Sequence, residues 1–302
     1  MTNKTHPNVS VILPTYNRAH LIKRSIDSIL DQTYADFEII IVDDGSTDNT
    51  KEIIEQYTDE RIRYIGHEIN KGAPSAMNTG IKNSKGDFLS FQGSDDKWLP
   101  EKLQKEMLIF KESSSDVGVV YSGIWSIEKN EIKYKPDSSI QKKEGIIHDE
   151  LLKGNFVNGL SSVKKECFEK CGLFDENLFG LEDWELYIRI SKNYEFRIVD
   201  EPLMIAYNAE GNISSNYLKL FNAKKIIIDK HFKEFSKDKK VLAINYGILG
   251  SLLFLSEEKK KARSYFIDAI KLDFNLKYIF AYLLSYFGKK MYTQVLGYYQ
   301  KN

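Results

Sequence analysis

Short apolar runs alternate with helical patterns over the first hundred residues. Four runs lack the polar alternation of a half-exposed strand and predict buried strands: Val9–Leu13, Phe37–Val42, Ile62–Ile65 and Phe88–Phe91. Between these runs, the pattern is helical in Leu21–Leu30, Asp48–Tyr57 and Ala76–Asn83. Buried strands separated by helices are typical of a parallel sheet that is covered on both faces. We therefore predict an α/β fold with a mostly parallel central sheet and flanking helices.

The predicted strands end in polar segments. Ligands of open α/β sheets bind beyond the carboxyl ends of the strands. In this chain those ends are Pro14–Arg18, Asp43–Gly45 and Ser94–Asp96, and two of the three are acidic. The sequence therefore predicts a binding site along this edge of the sheet.

The pattern changes in the second part of the chain. Val117–Ile127 and Glu131–Tyr134 predict a hairpin, which a polar loop and a mixed region to about Gly211 follow. From Asn216 onward the pattern is helical, with amphipathic helices predicted over Ala262–Leu272 and Tyr278–Phe287. We predict two domains, residues 1–215 and an all-helical C-terminal extension over residues 216–302.

Charge divides the chain at the same point. The 302 residues carry no net charge, but residues 1–215 hold 26 Lys and Arg against 36 Asp and Glu, and residues 216–302 hold 17 against 7. The balance gives no sign of a nucleic-acid partner. The basic, aromatic-rich extension suits an anionic membrane surface, and a helical cap with a solvated lysine face is the alternative.

Membrane-spanning and secretion signals are weak. The longest uncharged stretch, Val241–Ser256, has 16 residues and predicts a buried helix. The first ten residues are polar, without the apolar core of a signal peptide. Cys167 and Cys171 predict packing residues in a reducing compartment. We predict a cytoplasmic protein, with peripheral contact to the inner face of the membrane as an open alternative.

Two well-known nucleotide-binding motifs are absent from the sequence. The segment PTYNRAH after the first strand has no glycine for a dinucleotide-binding turn, and no GxxxxGK[ST] occurs anywhere.

Acidic residues at the strand ends could instead bind a metal ion or a nucleobase. Asp95-Asp96 suits a divalent cation, and the alternatives are a helix cap or a solvated turn. Asp44 can accept a hydrogen bond from a nucleobase, while Asp48 caps the next helix.

A third acidic segment, Gly180–Trp184, leads into a predicted helix. Asp183 there either stabilises the helix through its dipole or serves as a general base beside a cleft.

Six motifs follow one another in the chain: PTYNR, VDDGSTD, NKGxxxAxNTG, SDDxWLP, NGLSSVKKECFEKCGLFDE and LEDWELYIR. Together, over about residues 8–210, they resemble family 2 of the nucleotide-sugar glycosyltransferases, which have a GT-A fold and invert the anomeric centre.

The resemblance implies roles for residues of this chain. Asp183 would be the catalytic base, and Asp95 and Asp96 would bind a divalent metal, Mn²⁺ or Mg²⁺. The implied donor-binding residues are Pro14, Thr15, Tyr16, Arg18, Asp44, Asn70, Lys71, Gly72, Asn78 and Asp95. The implied partners are a nucleotide-sugar donor, with UDP favoured, and a glycan or lipid-linked acceptor.

Two positions depart from the family's pattern. Gly93 stands where the family usually has the first aspartate of Asp-Ser-Asp-Asp, and Met77 stands where it commonly has an arginine.

The activity that the resemblance implies is a metal-dependent hexosyl or N-acetylhexosaminyl transfer in the synthesis of cell-surface polysaccharide or glycoconjugate. The alternative is a non-catalytic nucleotide-sugar-binding module with a degraded metal site.

Overall fold

The computed structural model describes residues 6–128, 131–136, 140, 143–208, 216–289 and 291–293. The chain forms two compact units. The first comprises residues 1–151, 155–177 and 182–209, and the second comprises residues 152–154, 178–181 and 210–302. The short segments 152–154 and 178–181 thus group with the helical unit, although the sequence places them within the first domain.

Four parallel strands form one half of the sheet in the first unit, in the order β3-β2-β1-β4. They are β1 (Val9–Thr15), β2 (Phe37–Asp43), β3 (Ile62–Gly66) and β4 (Phe88–Phe91). Each contains its predicted apolar run. Every residue of β2 is buried, and only Pro14 of β1 is not, because helices cover both faces of the sheet.

The connecting helices are α1 (Ile22–Leu30), α2 (Thr50–Ile54) and α3 (Ala73–Asn83). The prediction for α2 was too long, since that segment was expected to be helical from Asp48 to Tyr57. Asp48 lies before the helix, where its carboxylate accepts from the N–H groups of Thr50 and Ala19. The N-cap position is Asn49, whose side chain makes no capping hydrogen bond, so Asp48 lies one residue before the cap that was predicted for it.

The sheet continues from β4 in the order β8-β6-β9-β5. These strands are β5 (Lys97–Trp98), β6 (Val117–Glu128), β8 (Ser162–Lys164) and β9 (Glu195–Asn208), and β7 (Glu131–Lys135) pairs with β6 in the predicted hairpin. β8 is antiparallel to both neighbours, whereas β6 and β9 are parallel. The predicted α/β fold is confirmed, and this half makes the sheet mixed.

Four further helices accompany this half of the chain: α4 (Lys102–Glu112), α5 (His148–Lys153), α6 (Lys165–Cys171) and α7 (Glu182–Ile190). Both cysteines are free, as predicted, and Cys167 is buried. In α4, Lys102 and Glu106 form a fully buried ion pair of 2.8 Å. Such a pair is expensive to desolvate, and Ser162 of β8 supplies a further hydrogen bond to Glu106 at 2.6 Å.

Helices make up the described part of the second unit after residue 215: α8 (Tyr217–Lys230), α9 (Phe232–Phe235), α10 (Lys239–Leu255), α11 (Lys259–Leu272) and α12 (Leu276–Leu284). Side chains of Asn216, Asp238 and Asn275 cap three of them. Much of α10 is buried, as predicted for this apolar segment. Among the described residues, no helix has the length and apolar character needed to cross a bilayer.

Candidate active site

Hydrogen bonds join the loops that follow β1 and β2. The N–H of Asp44 donates to the carbonyl of Thr15 at 2.8 Å, and the N–H of Asn17 donates to Oγ of Ser46 at 2.9 Å. Tyr16 is 41% exposed beside these contacts, so its ring is accessible to a ligand. Two further predicted residues of this loop are half-buried, Pro14 and Arg18.

The carboxylate of Asp44 holds the loop of residues 67–72. It accepts from the N–H of Lys71 at 3.0 Å and from the N–H of Gly72 at 2.7 Å, and it lies 2.7 Å from Nδ1 of His67. Asp44 is only 3% exposed. A side chain predicted to contact a nucleobase therefore already has three protein partners, which the sequence does not indicate.

Gly45 allows this loop to pass close to the end of β2. Its φ is 77°, and a Cβ at this position would lie 2.8 Å from the carbonyl carbon of Ile69. An L-residue would be strained there and would also clash. The loop leaves Asn70 and Lys71 exposed, so both predicted donor residues are accessible.

Asn78, a predicted donor-binding residue, makes its hydrogen bonds within the protein. It is 2% exposed. Its amide donates to the carbonyl of Phe174 at 3.0 Å and to Glu176 at 2.8 Å, and its oxygen accepts from the N–H of Phe174 at 3.0 Å. In this structure Asn78 thus joins α3 to the segment after α6.

The predicted metal residues lie in a turn after β4. Oγ of Ser25 donates to the carbonyls of Gly93 and Asp96 at 3.0 and 2.8 Å, and the N–H of Tyr207 donates to Oδ1 of Asp96 at 3.1 Å. A Cβ at Gly93 would lie 2.5 Å from Oδ2 of Asp96 and 3.3 Å from Oδ1 of Asp95. Both carboxylates therefore converge on one point above Gly93.

Burial raises the pKa of Asp96 to about 7, and the charge of Asp95 acts in the same direction. The Tyr207 N–H and the Arg24 guanidinium oppose this shift. That guanidinium lies 3.8 Å from the ring centroid of Tyr207 and donates to the carbonyl of Asp95. An arginine of α1 thus lies beside the acidic pair.

The two carboxylates have the chemistry of a divalent-cation site. Mg²⁺ and Mn²⁺ prefer carboxylate oxygens, and Mg²⁺ typically takes one or two of them together with waters and substrate phosphates. No group of three His, Cys, Asp or Glu side chains suited to a metal occurs within the described ranges. Asp95 and Asp96 therefore fit an ion that shares its coordination shell with a diphosphate.

Asp183 lies in the first turn of α7, as predicted. Its Oδ1 accepts from the N–H of Trp184 at 2.7 Å, and its Oδ2 accepts from the side-chain amide of Asn155 at 3.0 Å. Desolvation raises the pKa of Asp183, and these two hydrogen bonds oppose the shift. Trp184 is buried and donates from Nε1 to the carbonyl of Leu151 at 2.7 Å, which anchors the start of α7.

A cavity of about 620 Å³ opens beside Asp183 in the first unit. Its polar lining includes Lys133, Tyr134, Lys135, Asn155, Asn158 and Asp183. The predicted donor and metal residues are not among those that line it. Asp183 therefore has a cavity beside it that could admit a small polar ligand.

The fold and these motifs agree with a sequence comparison. Residues 10–172, more than half of the chain, match the family described as Glycosyl transferase family 2. The chain belongs to this family.

Several glycosyltransferases align with about two thirds of the chain. An uncharacterized glycosyltransferase of Rickettsia typhi, RT0329, is 37% identical over 64% of this chain, which spans 62% of that relative's length. A glycosyltransferase of Escherichia coli, WfgD, is 32% identical over 70% of this chain and 81% of its own length. Its name describes a UDP-Glc:alpha-D-GlcNAc-diphosphoundecaprenol beta-1,3-glucosyltransferase.

The fold resembles that of S. aureus TarS. The structure of TarS residues 1–349 in complex with UDP-GlcNAc superposes with a TM-score of 0.69 and 21% identity, covering 88% of this chain and 81% of that one. The comparison confirms the fold of this family 2 member, including its C-terminal helical region.

Two residues of the site gave no signal in the sequence. Asn155 lies in a segment without periodicity, 28 positions before the Asp183 that it contacts. Arg24 lies among the polar positions of α1, where an arginine is ordinary. Only the tertiary structure of this family 2 protein brings them to the acidic residues.

Proposed function

We propose that this chain is an inverting glycosyltransferase in which Asp183 is the general base. The observation that carries the proposal is the environment of Asp183, a carboxylate with a raised pKa, held by Asn155 beside a cavity. Its carboxylate accepts from the amide of Asn155, from the N–H of Trp184 and from its own backbone N–H. Because the two oxygens of a carboxylate together offer about four acceptor positions, the group can still accept from an acceptor hydroxyl.

The reaction is a single displacement. The acceptor hydroxyl oxygen attacks the anomeric carbon, and Asp183 takes the hydroxyl proton as the new bond forms. The bond from the anomeric carbon to the diphosphate breaks, and the nucleoside diphosphate leaves with the electron pair. Attack from the face opposite the leaving group converts an α-linked donor into a β-linked product.

The loops at the strand ends are the proposed donor site. Tyr16, Asn70 and Lys71 are exposed there and can reach a nucleoside diphosphate. Pro14, Thr15, Arg18 and Gly72 would complete the site, and Asp44 would either contact the base or position the loop that does. A UDP-sugar is the proposed donor, which the name of the E. coli relative supports.

Asp95 and Asp96 would hold a divalent metal. Bound there, Mn²⁺ or Mg²⁺ supplies positive charge that stabilises the departing diphosphate. The convergence of two carboxylate oxygens above Gly93 supports this assignment. Arg24 would hold the turn in place through its hydrogen bond to the Asp95 carbonyl.

We further propose that residues 1–215 are the catalytic domain and that the helical extension contacts an anionic membrane, where lipid-linked acceptors reside. Leu276, Phe280 and Leu283 lie at helical spacing on α12 and are 64%, 42% and 49% exposed. The ten excess positive charges of residues 216–302 suit anionic lipid. The same charge would repel a second copy of this unit.

Asp183→Asn tests the catalytic proposal. The amide keeps the size of the side chain but cannot take a proton, so transfer should fall about 100-fold or more. Affinity for UDP, measured by calorimetry, should change little, because the base contacts the acceptor. Asp149→Asn is the matched control, since Asp149 is an exposed carboxylate in the first turn of α5.

Two outcomes would contradict the proposal. If Asp183→Asn binds UDP and transfers sugar at the wild-type rate, Asp183 is not the base. If the wild-type protein binds UDP-sugars but neither transfers nor hydrolyses them with any metal, the chain is a binding module. NMR of the product anomeric proton tests inversion separately.

A further inference from the structure

His67 lies between two parts of the proposed donor site. It is the first residue after β3, and its backbone N–H donates to the carbonyl of Asp43 at 2.8 Å. On its ring, Nδ1 lies 2.7 Å from Oδ1 of Asp44, and Nε2 lies 2.9 Å from Oγ1 of Thr79 on α3. Both ring nitrogens therefore have protein partners, and the ring connects the residue after β2 with α3.

The partners of the ring define where its protons lie. An ionised carboxylate can only accept, so Nδ1 carries a proton and donates to Asp44. In a neutral imidazole Nε2 is then the acceptor, and the hydroxyl of Thr79 donates to it. The hydroxyl thus fixes the tautomer that the contact between His67 and Asp44 requires.

The pair of His67 and Asp44 is shielded from water. Their side chains are only 8% and 4% exposed, so solvent screens the contact little. A hydrogen bond to a carboxylate is charge-assisted and stronger than one between neutral groups, and a buried acceptor that loses its donor is costly. This contact therefore holds the Asp44 carboxylate in one orientation.

The orientation of the Asp44 carboxylate determines the course of residues 67–72. Its two oxygens also accept from the N–H groups of Lys71 and Gly72, at 3.0 and 2.7 Å. Because a carboxylate has about four acceptor positions, these donors and His67 leave about one for a ligand. The exposed residues Asn70 and Lys71 thus lie on a loop whose beginning and end bond to one buried carboxylate.

Thr79 completes this set of contacts through α3. The loop runs from Gly72 directly into α3, which begins at Ala73, and Thr79 lies in the second turn of that helix. The hydrogen bond between Thr79 and the ring therefore joins the helix that follows the loop to the residue that begins it. Loss of the ring would release the loop from Asp44 and from α3 together.

We propose that His67 is a positioning residue of the donor site, which holds the Asp44 carboxylate and the loop of residues 67–72 in the arrangement that binds a nucleoside diphosphate. The inference rests on the proposed function and adds a residue that acts on the donor through Asp44. It assigns to His67 an effect on donor affinity and leaves proton transfer to Asp183.

Calorimetry with UDP and Mn²⁺ measures the contribution of His67. The amide N–H of asparagine lies close to the position of Nδ1, whereas that of glutamine lies nearer to the position of Nε2. We expect His67→Asn to keep the UDP affinity within about threefold of the wild type, and His67→Gln and His67→Ala to lose about 10-fold or more. His6→Asn is the control, since His6 precedes β1 at the opposite end of the strands.

Thr79 provides a second test on a different element. Thr79→Val keeps the shape of the side chain but removes the donor to Nε2, so UDP affinity should fall about threefold or more, whereas Thr79→Ser should bind UDP like the wild type. Thermal melting of every variant is measured in parallel. A purely structural role would lower the melting temperatures of His67→Asn and His67→Gln without separating their UDP affinities.

The outcomes distinguish this proposal from the proposed function. Equal UDP affinity in His67→Asn and His67→Gln, or wild-type affinity in His67→Ala, would overturn the role of His67 and leave the donor site in place. A wild-type protein that binds no UDP would reject the donor site itself, and the role of His67 with it.

Discussion

The side-chain amide of Asn155 donates to Oδ2 of Asp183 at 3.0 Å, across 28 positions of sequence. This hydrogen bond fixes the orientation of the carboxylate and stabilises its charged form. It opposes the effect of burial, which raises the pKa of Asp183. Asn155 thus connects the geometry of the proposed base to the pH at which it works.

Asn155→Ala should move the acidic limb of the pH profile, the range in which kcat/KM falls as the pH is lowered, to higher pH. A general base acts as the carboxylate, and loss of the hydrogen bond raises the pKa of Asp183 further. The measurement is kcat/KM against pH. Asn83→Ala, which removes an exposed amide on α3, is the control and should leave the limb in place. An unshifted limb in Asn155→Ala would separate Asn155 from the base.

Asp183→Asn should not destabilise the protein at neutral pH. A folded-state pKa above the unfolded value means that the fold favours the protonated acid. The stabilisation of the folded state by protonated Asp183 is fully present below the pKa that Asp183 has in the unfolded chain. It is lost as the pH rises through the pKa that Asp183 has in the folded protein. The variant should therefore melt at or above the wild-type temperature near pH 7.5, with a smaller difference near pH 4. A lower melting temperature at both pH values would assign Asp183 to helix capping.

Asp95→Asn and Asp96→Asn should each lower turnover about 10-fold or more if both carboxylates hold the metal. If only one of the two aspartates ligates the metal directly, the variant of that residue should also lose the increase in UDP affinity that Mn²⁺ produces, as measured by calorimetry. Asp116→Asn, an exposed carboxylate before β6, is the control. Undiminished wild-type activity after removal of all divalent metal would reject the metal assignment.

Asn78→Ala should affect stability more than donor binding. The side chain makes two buried hydrogen bonds to the backbone of Phe174 and a partly buried one to Glu176, and leaving buried partners unsatisfied costs about 1–3 kcal/mol. Urea unfolding measures this loss, and calorimetry of the folded variant measures UDP affinity. A stable variant with weakened UDP binding would instead support the role that the sequence motif implies.

Phe280→Glu with Leu283→Glu should weaken binding to phosphatidylglycerol vesicles about 10-fold or more, because both residues lie on the exposed face of α12. Wild-type binding should fall as salt rises above about 0.1 M, where the Debye length is about 10 Å. Leu108→Glu is the control, since Leu108 of α4 is 48% exposed. Equal sedimentation with neutral and anionic vesicles would exclude the membrane proposal.

The order of apolar and polar residues along the sequence predicted the parallel half of the sheet, because its strands are continuous apolar runs such as Phe37–Val42. It also predicted Asp183 at a helix start. β9 was missed because Asp200, Glu201 and Pro202 interrupt its pattern, and irregular pairing with β6 accommodates this region. Hydrogen bonds such as Asn78 to Phe174, 96 positions apart, arise from packing and have no local signature.

The missing Cβ of Gly93 makes two positions of the metal turn interdependent. A side chain at position 93 would enter the space that Oδ2 of Asp96 fills, 2.5 Å away. An aspartate introduced there would require the Asp96 carboxylate to rotate away, and the hydrogen bond from the Tyr207 N–H to Oδ1 of Asp96 would change with it. The residue at position 93 thus decides where the Asp96 carboxylate can lie.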